Sequence, residues 1–190
     1  MRQRRDASLV GQIDVGAGPN QQARDASGRT ALLAAVQSNR IEAARTLIAA
    51  GANVNAQDNI QDSPYLLAGA RGRLEILKMT LAAGADLKST NRYGGTALTP
   101  ACHYGHVETV RELLKTAVAI DQINHLGWTC LLEAVILGGG GAAHVEIVRL
   151  VVAAGASVNL ADKQGVTPLA HARSRGQKEV AALLLQAGAK

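Results

Sequence analysis

A chain of 190 residues that is 47% hydrophobic but only 2% aromatic, with no Phe, can bury a sizeable core only from aliphatic side chains and alanine. Four prolines, 18% charged residues and a net charge of +5 exclude a disordered, collagen-like or strongly nucleic-acid-binding chain, and no apolar run approaches the roughly 18 residues of a membrane helix. The two cysteines, Cys102 and Cys130, offer no disulfide framework and no zinc-ligand spacing, so both read as packing thiols, and a cytoplasmic protein with no metal and no cofactor is expected.

Residues 1–23 come first, a tail carrying Arg2, Arg4 and Arg5 that leads into no continuous apolar stretch, then an eroded capping half-repeat with Leu9, Val10, Ile13 and Val15. From there the chain repeats itself. Thr30-Ala31-Leu32, Ser63-Pro64-Tyr65, Thr96-Ala97-Leu98 and Thr129-Cys130-Leu131 recur every 33 residues, and Thr167-Pro168-Leu169 follows after 38. Five residues before each hydroxyl stands Asp25, Asp58, Asn91, Asn124 or Asp162, and three residues further on a Gly in four of five copies, with Gln61 the exception. That is turn chemistry. Each copy also has an Ala five residues after the hydroxyl and a later Glu, at Glu42, Glu75, Glu108, Glu146 and Glu179. The units run 24–57, 58–90, 91–123, 124–161 and 162–190.

Within a unit, the hydroxyl before Pro or Ala is an N-cap that starts a helix of about two turns, and the Glu suits the positive end of a second helix closed by Gly51, Gly84, Gly155 or Gly188. Helices this short are marginal alone, so stability must come from stacking. Three departures stand out. Pro100 falls at the edge of the first turn after Thr96, a place where the helix should survive. The third unit ends Thr116-Ala117-Val118-Ala119 without a Gly, leaving its second helix free to run on or bend. The fourth carries five extra residues within Gly138 to Ala142, expected as a mobile loop. The site six residues after the hydroxyl reads Val36, Gly69, Cys102 and Val135, then Arg173, and its companion reads Ile41, Leu74, Val107 and Val145, then Lys178. Charge only in the last copy marks a capping repeat.

The Asp-x-x-Gly-x-Thr-Pro-Leu pattern, Gly105-His106-Val107-Glu108 and Gly155-Ala156-Ser157-Val158-Asn159 resemble the ankyrin-repeat family over residues 24–190. Asn124-His125-Leu126-Gly127-Trp128-Thr129, continuing to Ala134, is similar to a signature of short stand-alone bacterial ankyrin proteins. The resemblance implies an all-α ankyrin-repeat solenoid of stacked helix-turn-helix units with short β-hairpin fingers, and a concave face that binds proteins. Some such bacterial proteins carry the label of transcriptional regulator, which supplies the alternative function, a nucleic-acid-linked regulator.

No catalytic constellation emerges, so an enzyme is not expected. The five histidines are scattered over three repeats, and His106 and His144 occupy one equivalent site, where satisfying local backbone groups is the simpler reading. The glycine run lacks the strand and the Lys-Ser or Lys-Thr of a phosphate loop. What remains is the concave surface, where Arg29, Arg71, Arg92, Lys163 and Arg175 against Asp62 give a formal +4. Three of the four aromatics fall there. The expected protein-binding site is Arg92, Tyr93, His103, Tyr104, His125 and Trp128, with Ile136 and Leu137 as apolar floor and Lys163 at the flank. The expected partner is a protein with an acidic segment, bound by a monomer, with no membrane and no nucleic acid involved.

Overall fold

The computed structural model describes residues 23–190, so the expected half-repeat lies outside the described residues. Ten helices follow there in five pairs: α1 (Ala31–Gln37) with α2 (Ile41–Ala49), α3 (Pro64–Ala70) with α4 (Leu74–Ala82), α5 (Leu98–His103) with α6 (Val107–Leu113), α7 (Cys130–Ile136) with α8 (Ala142–Ala153), and α9 (Pro168–Ser174) with α10 (Lys178–Gln186). Odd-numbered helices stack into an inner row and even-numbered ones into an outer row, and each pair also packs on itself. The core is one continuous aliphatic cluster along these contacts, and Tyr65 is the single aromatic side chain within it. That continuity holds helices of six to twelve residues that water alone would melt.

Each inner helix begins where its hydroxyl puts it. Thr30, Ser63, Thr129 and Thr167 sit in extended backbone and accept from the amides of Leu33, Leu66, Leu132 and Ala170. Thr96 does not: α5 starts one residue late, Ala97 takes the cap position, and the Thr96 hydroxyl is buried without a partner. Pro100 is the cause. In the other copies the residue four after the hydroxyl donates its amide to the hydroxyl residue's carbonyl, and proline has no amide hydrogen to give. The helix survives, as expected, but without its hydroxyl cap.

Gly51, Gly84, Gly155 and Gly188 take positive φ after α2, α4, α8 and α10. The helix without such a glycine neither runs on nor bends. It stops after seven residues, and the Thr116 hydroxyl closes its end by donating to the Leu113 carbonyl at 2.6 Å and accepting from the Val118 amide at 3.3 Å. In the fourth repeat part of the insertion extends the front of α8 to twelve residues. The rest is tied down: Gln177 Nε2 donates to the carbonyls of Val135 at 3.0 Å and Gly138 at 2.9 Å. Gly138 is buried so closely that a Cβ there would lie 2.2 Å from the Ala134 carbonyl oxygen.

Two packing thiols were the expectation, and this is corrected: Cys102 and Cys130 form a disulfide with Cα atoms 5.5 Å apart. Stacking explains it. The residue six after a hydroxyl faces the residue immediately after the hydroxyl of the next repeat, the same relation that presses Gly69 against Ala97, where a Cβ on Gly69 would lie 2.7 Å from that of Ala97. At the end of the stack Arg173 is exposed where the equivalent Val36, Gly69, Cys102 and Val135 are buried, and Lys178 is exposed where Ile41, Leu74, Val107 and Val145 are half-buried or buried.

The fingers close on themselves. The amides of Asp25, Asp58, Asn91, Asn124 and Asp162 each donate at 3.0 Å to the carbonyl four residues on, and each Oδ1 accepts two turn amides. Among the described residues these hairpins are too short to register as strands, and Arg24 to Thr30 forms the one bridge.

Candidate protein-binding groove

The fingers and inner-helix ends of the second, third and fourth repeats enclose a groove of about 660 Å³. Tyr93 projects from the third finger, 54% exposed, and Tyr104 from the end of α5, 60% exposed. The Arg92 guanidinium lies 4.6 Å from the centroid of the Tyr93 ring, and its Nη1 is 3.9 Å from Asp62 Oδ2. Burial raises the Asp62 carboxyl above its ordinary range, and nearby Asp58 adds to this, against the opposing charges of Arg92 and Arg71. Arg71 and Arg92 outnumber Asp62 here, which leaves this rim cationic. Tyr104 stacks on His103 with centroids 4.2 Å apart, and Leu126 and Leu137 stand exposed beside them.

Of the residues expected in the site, Arg92, Tyr93, His103, Tyr104 and Leu137 line the groove together. His125, Trp128, Ile136 and Lys163 are not in its lining. His125 donates its amide to the Tyr93 carbonyl at 2.8 Å, and Lys163 Nζ donates to the His125 carbonyl at 2.5 Å, so these two stitch the third, fourth and fifth fingers together. Trp128 and Ile136 are half-buried, and the indole nitrogen of Trp128 is buried without a partner.

Burial lowers the His103 imidazole, and the neighbouring His144 adds to this. His144 Nε2 meets the His103 carbonyl at 2.8 Å, and His106, lowered by its own burial, meets the Ala70 carbonyl. Both equivalent histidines thus serve the backbone of the preceding repeat. Among the described residues no three His, Cys, Asp or Glu side chains gather as metal ligands.

Among the lining residues outside the expected site, a buried acid stands out. Glu133, on α7, is 7% exposed; its Oε1 accepts from Asn124 Nδ2 at 2.7 Å, and its Oε2 lies 4.0 Å from His103 Nδ1. Burial pushes its carboxyl up to about 7, against the opposing Asn124 hydrogen bond. The signal was in the register, four residues after the hydroxyl, where the preceding copies carry Ala34, Leu67 and Pro100.

Ankyrin repeats in three copies match residues 65–162, and a further ankyrin repeat matches residues 27–59. The whole fold matches a crystal structure of an ankyrin repeat domain from Acinetobacter baumannii AYE, with 56% identity, a TM-score of 0.92 and 97% of each chain covered. The chain belongs to the ankyrin-repeat family. This ankyrin stack is also similar to the ankyrin repeat protein EF0377, at 40% identity and a TM-score of 0.86 over 95% of this chain and 89% of that one. The ankyrin repeat protein YahD of Escherichia coli strain K12 is 52% identical over 59 residues, which is 31% of this chain and 29% of YahD. The ankyrin chain thus aligns with less than a third of that curated relative. Ankyrin repeats are generally protein-interaction modules on non-catalytic scaffolds. No helix among the described residues is long and apolar enough to cross a membrane.

Proposed function

We propose that this ankyrin stack is a non-catalytic module whose groove over the second to fourth repeats binds an acidic segment of a partner protein. The observation that carries the reading is the pair Tyr93 and Tyr104, large rings more than half exposed beside Arg92 and Arg71 in a groove deep enough to bury a side chain. The tyrosines, Leu126 and Leu137 supply apolar contact, and the arginines supply charge that speeds encounter with an acidic chain. His103 lies beneath Tyr104, while His125 and Lys163 hold the fingers that shape the contact and Trp128 and Ile136 border it. The module acts as a monomer. A cytoplasmic setting is the sequence's reading; the Cys102 to Cys130 disulfide, a bond that persists in oxidising compartments, weighs against it.

The test uses a partner recovered by affinity capture and then purified. Tyr104→Ala should weaken its binding by about 2 kcal/mol while leaving the melting point in place, because an exposed ring lies outside the core. Unchanged affinity in both Tyr104→Ala and Arg92→Ala would defeat the groove assignment. Tight binding to mixed-sequence duplex DNA that collapses with salt would favour the regulator instead.

A further inference from the structure

We infer that the α7 end of the groove is a subsite for one basic side chain of the partner, a lysine or arginine whose head meets the unbonded Glu133 oxygen while its stem lies across Leu137 and Tyr104. The inference rests on the groove reading and adds a second charge to the partner: an acid toward Arg71 and Arg92, and a base toward Glu133.

Glu133 is almost wholly withdrawn from water, yet only Oε1 is hydrogen-bonded, to Asn124. Oε2 faces a groove it helps to line, and His103 at 4.0 Å is too distant for a hydrogen bond. The stack itself has no use for an acid here, because Ala34, Leu67 and Pro100 fill the equivalent position in repeats that fold the same way. In the fifth repeat the equivalent His171 is fully engaged, with Nε2 2.7 Å from Asp162 Oδ2 and Nδ1 3.0 Å from Arg175 Nη1. Of the five equivalent positions, Glu133 alone combines burial, a fixed orientation and an open oxygen. Burying an ionisable carboxyl is unfavourable unless a cation compensates it, and His103, 4.0 Å from Oε2, is held toward its neutral form by its own burial.

The surroundings suit a cation. The titratable or charged groups on the helices packed against α7 and at their caps are His103 of α5 with Tyr104 at its end, His144, Glu146 and Arg149 of α8, and His171 and Arg173 of α9 with Arg175 at its end. His103 is lowered by burial, His144 is spent on the His103 carbonyl, His171 and Arg175 are spent on each other and Asp162, Arg149 pairs with Glu146 on the outer row, and Arg173 is exposed at the end of the stack. The Tyr104 ring, stacked on His103 and 60% exposed, offers a π face to an ammonium or guanidinium. Arg92 is drawn toward Asp62 and Tyr93 instead.

The experiment is a titration of isotope-labelled protein, followed by amide and carboxyl NMR, with N-acetyl-lysine methylamide, its uncharged norleucine analogue and N-acetyl-aspartate methylamide at matched ionic strength. The lysine probe should saturably shift Asn124, Glu133 and Leu137, at least tenfold more tightly than the norleucine probe and than it binds E133Q. Its binding should weaken several-fold from about pH 8 to about pH 6 in the wild type and much less in E133Q, as Glu133 takes up its proton. Saturating probe should also lower the midpoint of the Glu133 carboxyl signal, a readout that needs no variant. Equal binding of lysine and norleucine probes, an unchanged affinity in E133Q, or no shift at Glu133 would each overturn the inference. An aspartate probe that shifts Arg71 and Arg92 while the lysine probe is silent would overturn it and leave the acidic-segment reading standing.

Discussion

Replacing Glu133 by Gln changes one atom in the core and removes one titration. In the unfolded chain the carboxyl ionises at its ordinary 4.5, whereas in the folded chain burial holds the proton until about 7. Between these values the folded state carries a proton that the unfolded state has released, so the wild type loses stability as pH rises through that window and levels off above it. At about 1.4 kcal/mol per pH unit the loss comes to about 3 kcal/mol. Gln keeps an oxygen for the Asn124 amide, 2.7 Å away in the wild type, and has nothing to titrate. Urea unfolding at about pH 5 and about pH 8 should therefore show nearly equal stabilities for the two proteins at the acid end and E133Q more stable at the alkaline end by about 3 kcal/mol. Asp62 and His106 also depart from their ordinary values, but they titrate in both proteins and cancel in the difference. Parallel pH profiles would show that Glu133 ionises normally, and with it the reasoning for a compensating cation would go.

Reducing the Cys102 to Cys130 disulfide frees a 28-residue loop in the unfolded chain and should cost about 3.5 kcal/mol, lowering the melting point by about 10 °C. Superimposable melts of oxidised and fully reduced protein would refute this, and alkylation of intact cells, counting blocked thiols by mass, tells directly which form the native compartment maintains. Gln177→Ala removes two buried hydrogen bonds and strands the Val135 and Gly138 carbonyls, so urea unfolding should show a loss of about 2 kcal/mol. A change below about 0.5 kcal/mol would mean that the insertion does not depend on this tether.

Much of the architecture is legible along the chain because it is local and repeated. A hydroxyl before Pro or Ala can act only on amides within its own turn, a glycine after a helix acts on its own backbone, and the finger Asx residues bond amides two and four positions on. Even the failure at Thr96 is local, since Pro100 takes away a bond four residues back. The candidate site was half legible. Register placed Tyr93 and Tyr104 on the concave face, but it could not separate a residue that lines the groove from one such as Trp128 that is half-buried beside it.

The sequence by itself determined the repeat, its period, the two helices per unit, the charged end of the stack and the face on which the exposed rings stand, because each depends on spacing within a few residues. Only the tertiary structure decided what depends on distance between repeats. Stacking brings position six of one repeat against the residue after the hydroxyl of the next, which joins Cys102 to Cys130, and Gln177, at the start of α10, reaches the insertion only because α9 before it packs against α7. The depth of Glu133 is set by the neighbouring repeats that close over it, and a carboxyl's chemistry follows from its access to water, a property no position in a chain possesses until the chain is packed.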